Sequence, residues 1–351
     1  MTATIGFFDG VHQGHQFVIR HVADEAHRRG MEAVVVTFDR PPREVVTGQS
    51  TPLLTTLEEK KALILAAGAD RCEVLPFTRE MAMLTAKEFM QTILKEQLQV
   101  EVLMLGYDNR FGHRTPGVHE DFNDYQRYAR ELGMEVVKLP LFNPQPSPTT
   151  HQPSPINHHP STITHHPSPI TPLNSTAIRN AVKTGDVALA ALLLGRCYSI
   201  TGRVVHGRGE GRKLNFPTAN IAPQTVETII PATGVYEVAV KGPRVQEFRS
   251  SEVQKFRSSG VQEFRSSGVQ EFRSENSSLP GIMNIGTRPT YGNGELSLEV
   301  HLLNFSGNLY NHRLTVEFLR RIRPEQTFSS PEALRQQIEK DIASLNRPSA
   351  T

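Results

Sequence analysis

The first 140 residues alternate short apolar runs with segments of helical periodicity, and this alternation constrains the possible folds most. Strands are predicted where β-branched and apolar residues cluster, at 3–8, 33–38, 72–75, 100–105 and 135–139. Helices are predicted between them, at 14–29, 57–67, 86–98 and 121–132. Strands that alternate with helices imply right-handed crossovers and a parallel sheet. The first part of the chain is therefore predicted to be an α/β domain.

Beyond residue 196 the pattern changes to short strands separated by Gly- and Asn-containing turns. The predicted strands are SITGRVV, GVYEVAV, GELSLEVHLLNF and RLTVEFL, and a helix is predicted at 331–345. Closely spaced strands of this kind are typical of a small antiparallel barrel. Two short helices, separated at Gly185-Asp186, come before this part. A length of 351 residues also fits two domains, and we expect them to span 1–195 and 196–351.

Two low-complexity stretches interrupt these domains. Residues at about 143–172 repeat His, Pro and Ser, and proline at this density blocks helices and sheet ladders, so we predict a disordered insert. Residues at about 245–278 repeat an eight-residue unit close to VQEFRSSG, which is shorter than known solenoid units. We interpret this repeat as an expanded hairpin loop, because long surface loops add little closure entropy. A peptide-binding array is the alternative interpretation.

The composition argues against several classes of function. Lys and Arg number 38 and Asp and Glu number 36, a formal charge of +2 that does not favour nucleic-acid or membrane-surface binding. No apolar run approaches the roughly 18 residues of a membrane span, and the N-terminal segment lacks the pattern of a secretory signal. Cys72 and Cys197 have no metal-ligand spacing and fit a reducing compartment. We expect a cytoplasmic monomer or weak homo-oligomer that acts on small molecules.

The segment 6–15, GFFDGVHQGH, lies where the first predicted strand meets the first predicted helix. Glycines at such a junction let the backbone approach a phosphate, and the positive end of the helix dipole favours negative charge there. His12 and His15 can both donate hydrogen bonds to phosphate oxygens whose charge grows during attack. The segment therefore predicts nucleotide chemistry that depends on positioning and charge stabilisation.

A second candidate site lies in the segment 202–221, GRVVHGRGEGRKLNFPTANI. Its glycines, interleaved with arginines, form a flexible positive loop suited to phosphate, although glycines alone are equally compatible with an ordinary turn-rich loop. Thr218 and Asn220 offer a hydroxyl and an amide oxygen suited to Mg²⁺ and to ATP oxygens. Together these features predict a Mg²⁺–ATP site in the second domain.

These motifs resemble those of the bacterial bifunctional riboflavin kinase/FAD synthetases, whose first domain belongs to the HxGH nucleotidyltransferase superfamily. GFFDGVHQGHQ resembles the opening motif, and the blocks TFDRPPR, LLTTLEEK, GYDNRFG, NSTAIR, PTAN, NIGTRPTYG, NFSGNLY and RRIRPEQTFSSPEAL follow in family order. The resemblance implies a Rossmann-like parallel-sheet nucleotidyltransferase domain and a six-stranded-type antiparallel β-barrel flavokinase domain. It also implies that ATP phosphorylates riboflavin to FMN and that a second ATP adenylylates FMN to FAD, with Mg²⁺ at both sites.

The resemblance also implies which residues form the two sites. ATP and phosphate contacts in the first domain are expected from Gly6, Phe8, Asp9, Gly10, His12, His15, Asp108, Ser175, Thr176 and Arg179. We expect His12, His15 and Arg179 to be catalytic, and an arginine can clamp a phosphate with two hydrogen bonds. ATP and Mg²⁺ contacts in the second domain are expected from Gly207, Gly209, Gly211, Arg212, Thr218 and Asn220.

Two further positions in the second domain carry open alternatives. The resemblance implies that Glu299 is the general base that takes the proton from the 5′-hydroxyl of riboflavin. The alternative is an outward-facing strand carboxylate without a chemical role. Arg323 is expected either to contact the flavin or to form a surface ion pair.

The chain departs from the family pattern at three places. Pro41-Pro42 stands where His-Pro is usual, Asn174 replaces the first serine of an SST-like block, and Asn215 replaces the glycine before FPTAN. One alternative function is flavokinase activity alone, with the adenylyltransferase site impaired by the insert before Ser175. Another is a scaffold without activity whose repeats recruit a partner.

Overall fold

The protein is described here by a computed structural model. It describes residues 1–107, 110–113, 120–142, 173–207, 209, 211, 214–242, 278–288 and 295–345. By its contacts the chain divides into a first unit, Met1–Thr51 with Leu57–Ala177, and a second unit, Pro52–Thr56 with Ile178–Thr351. This division falls between Ala177 and Ile178, whereas the domain boundary expected from the sequence follows residue 195. The insert expected at 143–172 and all but the last residue of the one expected at 245–278 lie outside the described residues.

The first unit contains a five-stranded parallel sheet with the strand order 3-2-1-4-5. Its strands are β1 (Thr2–Ile5), β2 (Ala33–Phe38), β3 (Arg71–Leu75), β4 (Val102–Leu105) and β5 (Glu135–Lys138). Every residue of β1, β2 and β4 is buried, and these strands consist of apolar residues and threonine. The order changes direction at β1, so ligands of such a sheet bind at the carboxyl end of β1. The predicted Rossmann-like parallel sheet is confirmed.

The helices of this unit follow the predicted pattern with a few changes. They are α1 (Gln13–Arg29), α2 (Pro42–Thr47), α3 (Leu57–Ala66), α4 (Arg79–Met83), α5 (Ala86–Phe89) and α6 (Phe122–Glu131). The single helix predicted at 86–98 is α5 continued by a π-helix over Met90–Gln97. The Pro41-Pro42 departure has a structural reason, because Pro41 precedes α2 and Pro42 is its first residue, where proline is tolerated.

The second unit contains a closed antiparallel barrel with the strand order 10-7-6-11-8-9. Its strands are β6 (Tyr198–Val205), β7 (Ala219–Ile221), β8 (Gly234–Lys241), β9 (Leu279–Arg288), β10 (Glu295–Leu302) and β11 (Arg313–Arg323). Large buried side chains such as Tyr198, Tyr236 and Phe318 fill the barrel. Helix α7 (Ser175–Thr184) spans the division between the units, α8 (Val187–Leu194) precedes the barrel and α9 (Pro331–Leu345) follows it. The predicted six-stranded barrel is confirmed.

The sequence pattern predicted only four of the six barrel strands. Strand β7 has three residues, which is too short to show a period of two. Strand β9, LPGIMNIGTR, contains a proline and two glycines, which are residues that lower the prediction of a strand. The closed barrel supplies hydrogen-bond partners on both sides of each strand, and this tertiary pairing outweighs the weak local preference.

Candidate active sites

The loop after β1 carries the first motif in a strained backbone conformation. Phe8, Gly10 and Val11 have φ values of 52°, 78° and 38°. Left-handed φ is unfavourable for residues with a side chain, above all for β-branched valine, and such strain is concentrated at functional sites. The strand predicted at 3–8 is shorter in the structure and ends at Ile5. Phe8 cannot belong to it, because its backbone is left-handed rather than extended. The loop places the two histidines at the start of α1.

His12 and His15 lie against each other at the N-terminus of α1. Their ring centroids are 3.6 Å apart in a stacked arrangement, and Nδ1 of His12 accepts a hydrogen bond from the backbone N–H of His15 at 3.3 Å. A Cβ at Gly14 would lie 3.3 Å from the His12 ring, so the glycine between the histidines leaves room for this ring. The spacing therefore concentrates two imidazoles at the positive end of a helix dipole, where an anion is favoured.

His15 is held in its neutral form. Burial lowers its pKa well below the usual value, and the nearby charges of His12 and Lys60 lower this pKa further. Among the residues that the structure describes, Nδ1 of His15 has no hydrogen-bond partner. A neutral imidazole carries one N–H donor, so His15 suits hydrogen bonding to a phosphate oxygen better than ion pairing.

Lys60 on α3 is a residue of this site that the sequence analysis missed. Its side chain is 3% exposed, and Nζ donates to the carbonyl oxygens of Phe7 at 3.1 Å and Phe38 at 2.8 Å. Burial lowers the pKa of Lys60 to about 8, although the charges of Asp9, Cys72 and Asp39 raise it in part. Lys60 thus joins the carboxyl ends of β1 and β2. It lies in the LLTTLEEK block, but lysines are usually solvent-exposed, so the sequence pattern alone did not single it out.

The NSTAIR block partly joins this site. Oγ of Ser175 donates to the carbonyl oxygen of Asp9 at 3.0 Å, which connects positions separated by 166 residues. Oδ1 of Asn174 accepts from the backbone N–H of Ala177 at 2.8 Å, and asparagine caps a helix as well as serine does, which accounts for that departure.

Three other residues expected at the first site are placed differently or not at all. Thr176 is exposed to solvent. Arg179 belongs to the second contact unit, where its Nε donates to the carbonyl oxygen of Pro52 at 3.0 Å. Asp108 lies outside the described residues. The roles expected of these residues therefore stay predictions.

The second candidate site lies along one row of the barrel. The strand register pairs Glu299 with Asn220 on one side and with Asn284 on the other. Asn284 pairs in turn with Val235, and Val235 pairs with Arg323. Five neighbouring strands thus contribute one residue each to a single row. Four of these residues, all but Asn220, line a cavity of about 300 Å³ that Leu334 and Ile338 of α9 also line.

Glu299 is held by two hydroxyl groups. Its Oε1 accepts from Oγ of Ser297 at 2.9 Å, and its Oε2 lies 3.4 Å from Oγ1 of Thr218. The carboxylate lines the cavity, and its role as a base stays a prediction. Neither the spacing of Ser297 nor its type distinguishes it from other strand serines, and the sequence analysis missed it.

The glycine loop packs closely against the PTAN segment. A Cβ at Gly207 would overlap the side chain of Asn220, and one at Gly211 would lie 3.3 Å from Oγ1 of Thr218. Asn215 has a φ of 65°, a left-handed conformation that asparagine tolerates, which explains its replacement of the family glycine.

The PTAN segment also borders a second cavity in the same unit. Thr218 also lines a separate cavity of about 450 Å³ together with Phe305, Asn308 and Tyr310. Thr218 therefore lines both cavities, the one that Glu299 lines and the one that Phe305 and Tyr310 line. Gly209 has a left-handed φ of 73°, and Arg212 lies outside the described residues.

Arg323 forms an ion pair, but a buried one rather than the surface pair considered from the sequence. Its Nη2 lies 2.9 Å from Oδ2 of Asp341, and its Nε donates to the same carboxylate at 3.0 Å. Asp341 is 4% exposed. The pair joins β11 to α9 and lines the Glu299 cavity.

The residues present are compatible with Mg²⁺ bound together with a nucleotide. Within the described ranges, no group of three or more His, Cys, Asp or Glu residues could hold a metal ion. Thr218 and Asn220 instead offer neutral oxygen ligands, and Mg²⁺ commonly takes its remaining ligands from phosphates and water. In the part of the chain that the structure describes, no helix has both the length and the apolar character needed to cross a membrane.

Comparison with known proteins identifies two family domains in this chain. Residues 194–348 match the riboflavin kinase family, and residues 1–151 match the FAD synthetase family. Bifunctional riboflavin kinase/FMN adenylyltransferases from Pseudomonas fluorescens and Escherichia coli K12 are 35% and 32% identical. The alignments cover 99% and 96% of this chain and 94% and 89% of those relatives.

A solved structure shares the fold. The crystal structure of a protein described as a macrolide-efflux protein from Streptococcus pneumoniae superposes with a TM-score of 0.73 at 24% identity. The superposition covers 99% of this chain and 94% of that one, and at this identity it shows the fold alone. The family is shown by the two domain matches and by the similarity to relatives over nearly the full length. The chain belongs to the bifunctional riboflavin kinase/FMN adenylyltransferase family.

Proposed function

We propose that this chain converts riboflavin to FAD in two ATP-dependent steps. The first transfers the γ-phosphate of ATP to riboflavin and gives FMN and ADP. The second transfers AMP from another ATP to FMN and gives FAD and pyrophosphate. The observation that carries this proposal is that one chain of this family has stacked histidines at a helix N-terminus in its first unit and a hydroxyl-bound carboxylate beside a cavity in its second.

In the proposed kinase step, Glu299 takes the proton from the 5′-hydroxyl of riboflavin. An alcohol is a weak nucleophile, so a carboxylate within hydrogen-bond distance speeds the attack on the γ-phosphate. Riboflavin would occupy the cavity of about 300 Å³, where Ile282, Phe328 and Leu334 provide apolar surface for the flavin ring. The phosphates of ATP would lie against the glycine loop, including Gly207, Gly209, Gly211 and Arg212.

In the proposed adenylyl transfer, the nucleophile is the phosphate of FMN. Because this group is already an anion, the site requires no base, and His12 and His15 would stabilise the charge that develops on the α-phosphate of ATP. The remaining predicted contacts support the phosphates, namely Gly6, Phe8, Asp9, Gly10, Asp108, Ser175, Thr176 and Arg179. The backbone N–H groups at the start of α1 favour the same charge.

Mg²⁺ is part of the proposal at both sites. In the barrel, Thr218 and Asn220 would hold it against the ATP phosphates. A bound Mg²⁺ neutralises charge on the transferred phosphates and orients them. We also propose that residues 1–195 carry adenylyl transfer and residues 196–351 carry phosphorylation. The chain is proposed to work in the cytoplasm as a monomer or weak homo-oligomer without a nucleic-acid partner.

The decisive experiment incubates the purified full chain with riboflavin, ATP and Mg²⁺ and separates the flavins chromatographically. FMN is expected first and FAD later. Absence of both products would overturn the proposal. FMN that accumulates without FAD, and FAD formation that returns after residues 144–170 are deleted, would instead identify a flavokinase whose adenylyltransferase site is impaired by the insert.

A further inference from the structure

Ser297 and Glu299 lie two residues apart on β10 and therefore share one face of the strand. Leu298 and Val300, which alternate with them, are buried in the opposite direction. Oγ of Ser297 donates to Oε1 of Glu299 at 2.9 Å, which is a well-formed hydrogen bond to a carboxylate. Thr218 contacts the other oxygen at a longer distance, 3.4 Å. The Ser297 contact is thus the stronger of the two.

The serine hydroxyl is well shielded, because the residue is 8% exposed. A buried donor to a carboxylate restricts the rotation of that carboxylate. Two charged residues that line the same cavity are occupied with each other, because Arg323 is paired with Asp341. Nδ1 of His301, which also lines the cavity, lies 2.8 Å from the carbonyl oxygen of Pro217.

We propose that Ser297 is a positioning residue for phosphorylation of riboflavin. Its hydroxyl fixes one oxygen of the Glu299 carboxylate. The second oxygen then faces Thr218, where the ribityl hydroxyl and the metal-bound phosphates would meet. This inference rests on the proposed role of Glu299 as the base.

The test compares Ser297→Ala and Ser297→Thr with the wild-type chain by measuring kcat and KM for FMN formation from riboflavin. We expect Ser297→Ala to lower kcat roughly 10-fold, the effect of one hydrogen bond to a charged group. The KM for riboflavin should change less than about twofold, because Ser297 is not among the residues that line the cavity. Ser297→Thr retains a hydroxyl and should restore kcat.

Ser199→Ala provides a matched control, since Ser199 is a strand serine paired with Glu317 elsewhere in the same barrel. It should leave kcat for FMN formation unchanged. In the Ser297 variants, an unchanged KM for riboflavin reports that the barrel is intact, and unchanged FMN adenylylation reports the same for the first unit. If Ser297→Ala does not fold, Ser297→Cys, which is close in size and a weak donor, takes its place.

An unchanged kcat in Ser297→Ala, or a failure of Ser297→Thr to restore kcat, would overturn the inference. Glu299→Gln separates this failure from that of the proposed function. A silent Ser297→Ala beside an inactive Glu299→Gln would reject only the positioning role. If Glu299→Gln kept full kinase activity, the proposed base itself would be rejected.

Discussion

The two candidate sites, both proposed to bind ATP, are built from different sets of side chains. The site on the parallel sheet gathers two imidazoles and a buried lysine around a strained loop at the end of β1. The site on the barrel gathers a carboxylate and two amides in one strand row, with two hydroxyls that contact the carboxylate. The first offers hydrogen-bond donors, whereas the second also offers a carboxylate that can accept a proton.

The nature of the nucleophile explains this difference. In the proposed second reaction the attacking group is a phosphate, which is ionised before it binds, so the protein needs only to stabilise charge. In the proposed first reaction the attacking group is an alcohol, which must lose a proton. A chain that performs both reactions thus needs one site rich in donors and another with a base. If each site serves one reaction, a change at one site should leave the other reaction unaffected.

The largest effect is expected for Glu299→Gln. Removal of a general base lowers the rate by about 10²- to 10⁴-fold, so riboflavin phosphorylation should fall by that factor. FAD formation from supplied FMN and ATP should stay at the wild-type rate. Both rates are measured on the same preparation by flavin chromatography. A parallel loss of both activities would show that the two sites are not separate.

A somewhat smaller effect is expected for His15→Ala in adenylyl transfer. Loss of one donor to a developing charge costs about 10²- to 10³-fold in kcat. His15→Asn keeps a neutral donor and should recover part of the rate, because the lowered pKa of His15 leaves it neutral near pH 7. Riboflavin phosphorylation serves as the control and should not change. Equal losses in His15→Ala and His15→Asn would contradict the donor role.

Lys60 predicts a pH dependence of stability. Its pKa is lowered from 10.5 to about 8 in the folded chain, so the unfolded state binds more protons between these values and stability rises with pH. From pH 7 to 9.5 the wild-type chain should gain about 2 kcal/mol of unfolding free energy relative to Lys60→Met. Denaturant unfolding at several pH values measures this difference.

Lys61→Met on the same helix is the control for this effect, because the side chain of Lys61 is 40% exposed, whereas Lys60 is 3% exposed. Its difference from the wild-type chain should not vary with pH. If the stability of Lys60→Met and of the wild-type chain varied with pH in the same way, the pKa of Lys60 would not be lowered in the folded chain.

The smallest effect is expected when residues 245–276 are replaced by Asn-Gly. Val240 and Leu279 are paired neighbours on β8 and β9, so the chain leaves and re-enters the barrel at one point, and a short turn can connect the strands. Both activities should stay within about twofold of wild type, since such a loop adds little closure entropy. A larger loss in phosphorylation alone would assign a role to the repeats.

Much of this architecture was predictable because burial leaves a direct mark on sequence. The fully buried strands β1, β2 and β4 contain only apolar residues and threonine. The HxGH motif lies where the sequence predicts a helix to start, because His12 caps the helix that begins at Gln13. Contacts between distant residues leave no such mark. The hydrogen bond from Lys60 to Phe38 and that from Ser297 to Glu299 depend on tertiary placement, which neither residue type nor local spacing encodes.

The left-handed backbone at Asn215 bears on how the kinase signature should be described. The family pattern has glycine at this position, yet this chain has asparagine there with a φ of 65°. The requirement at this position is therefore a backbone conformation rather than one amino acid, and either of the two residue types that tolerate it fulfils the requirement. A search pattern that demands glycine would pass over chains such as this one, whereas a rule written in terms of conformation would retain them.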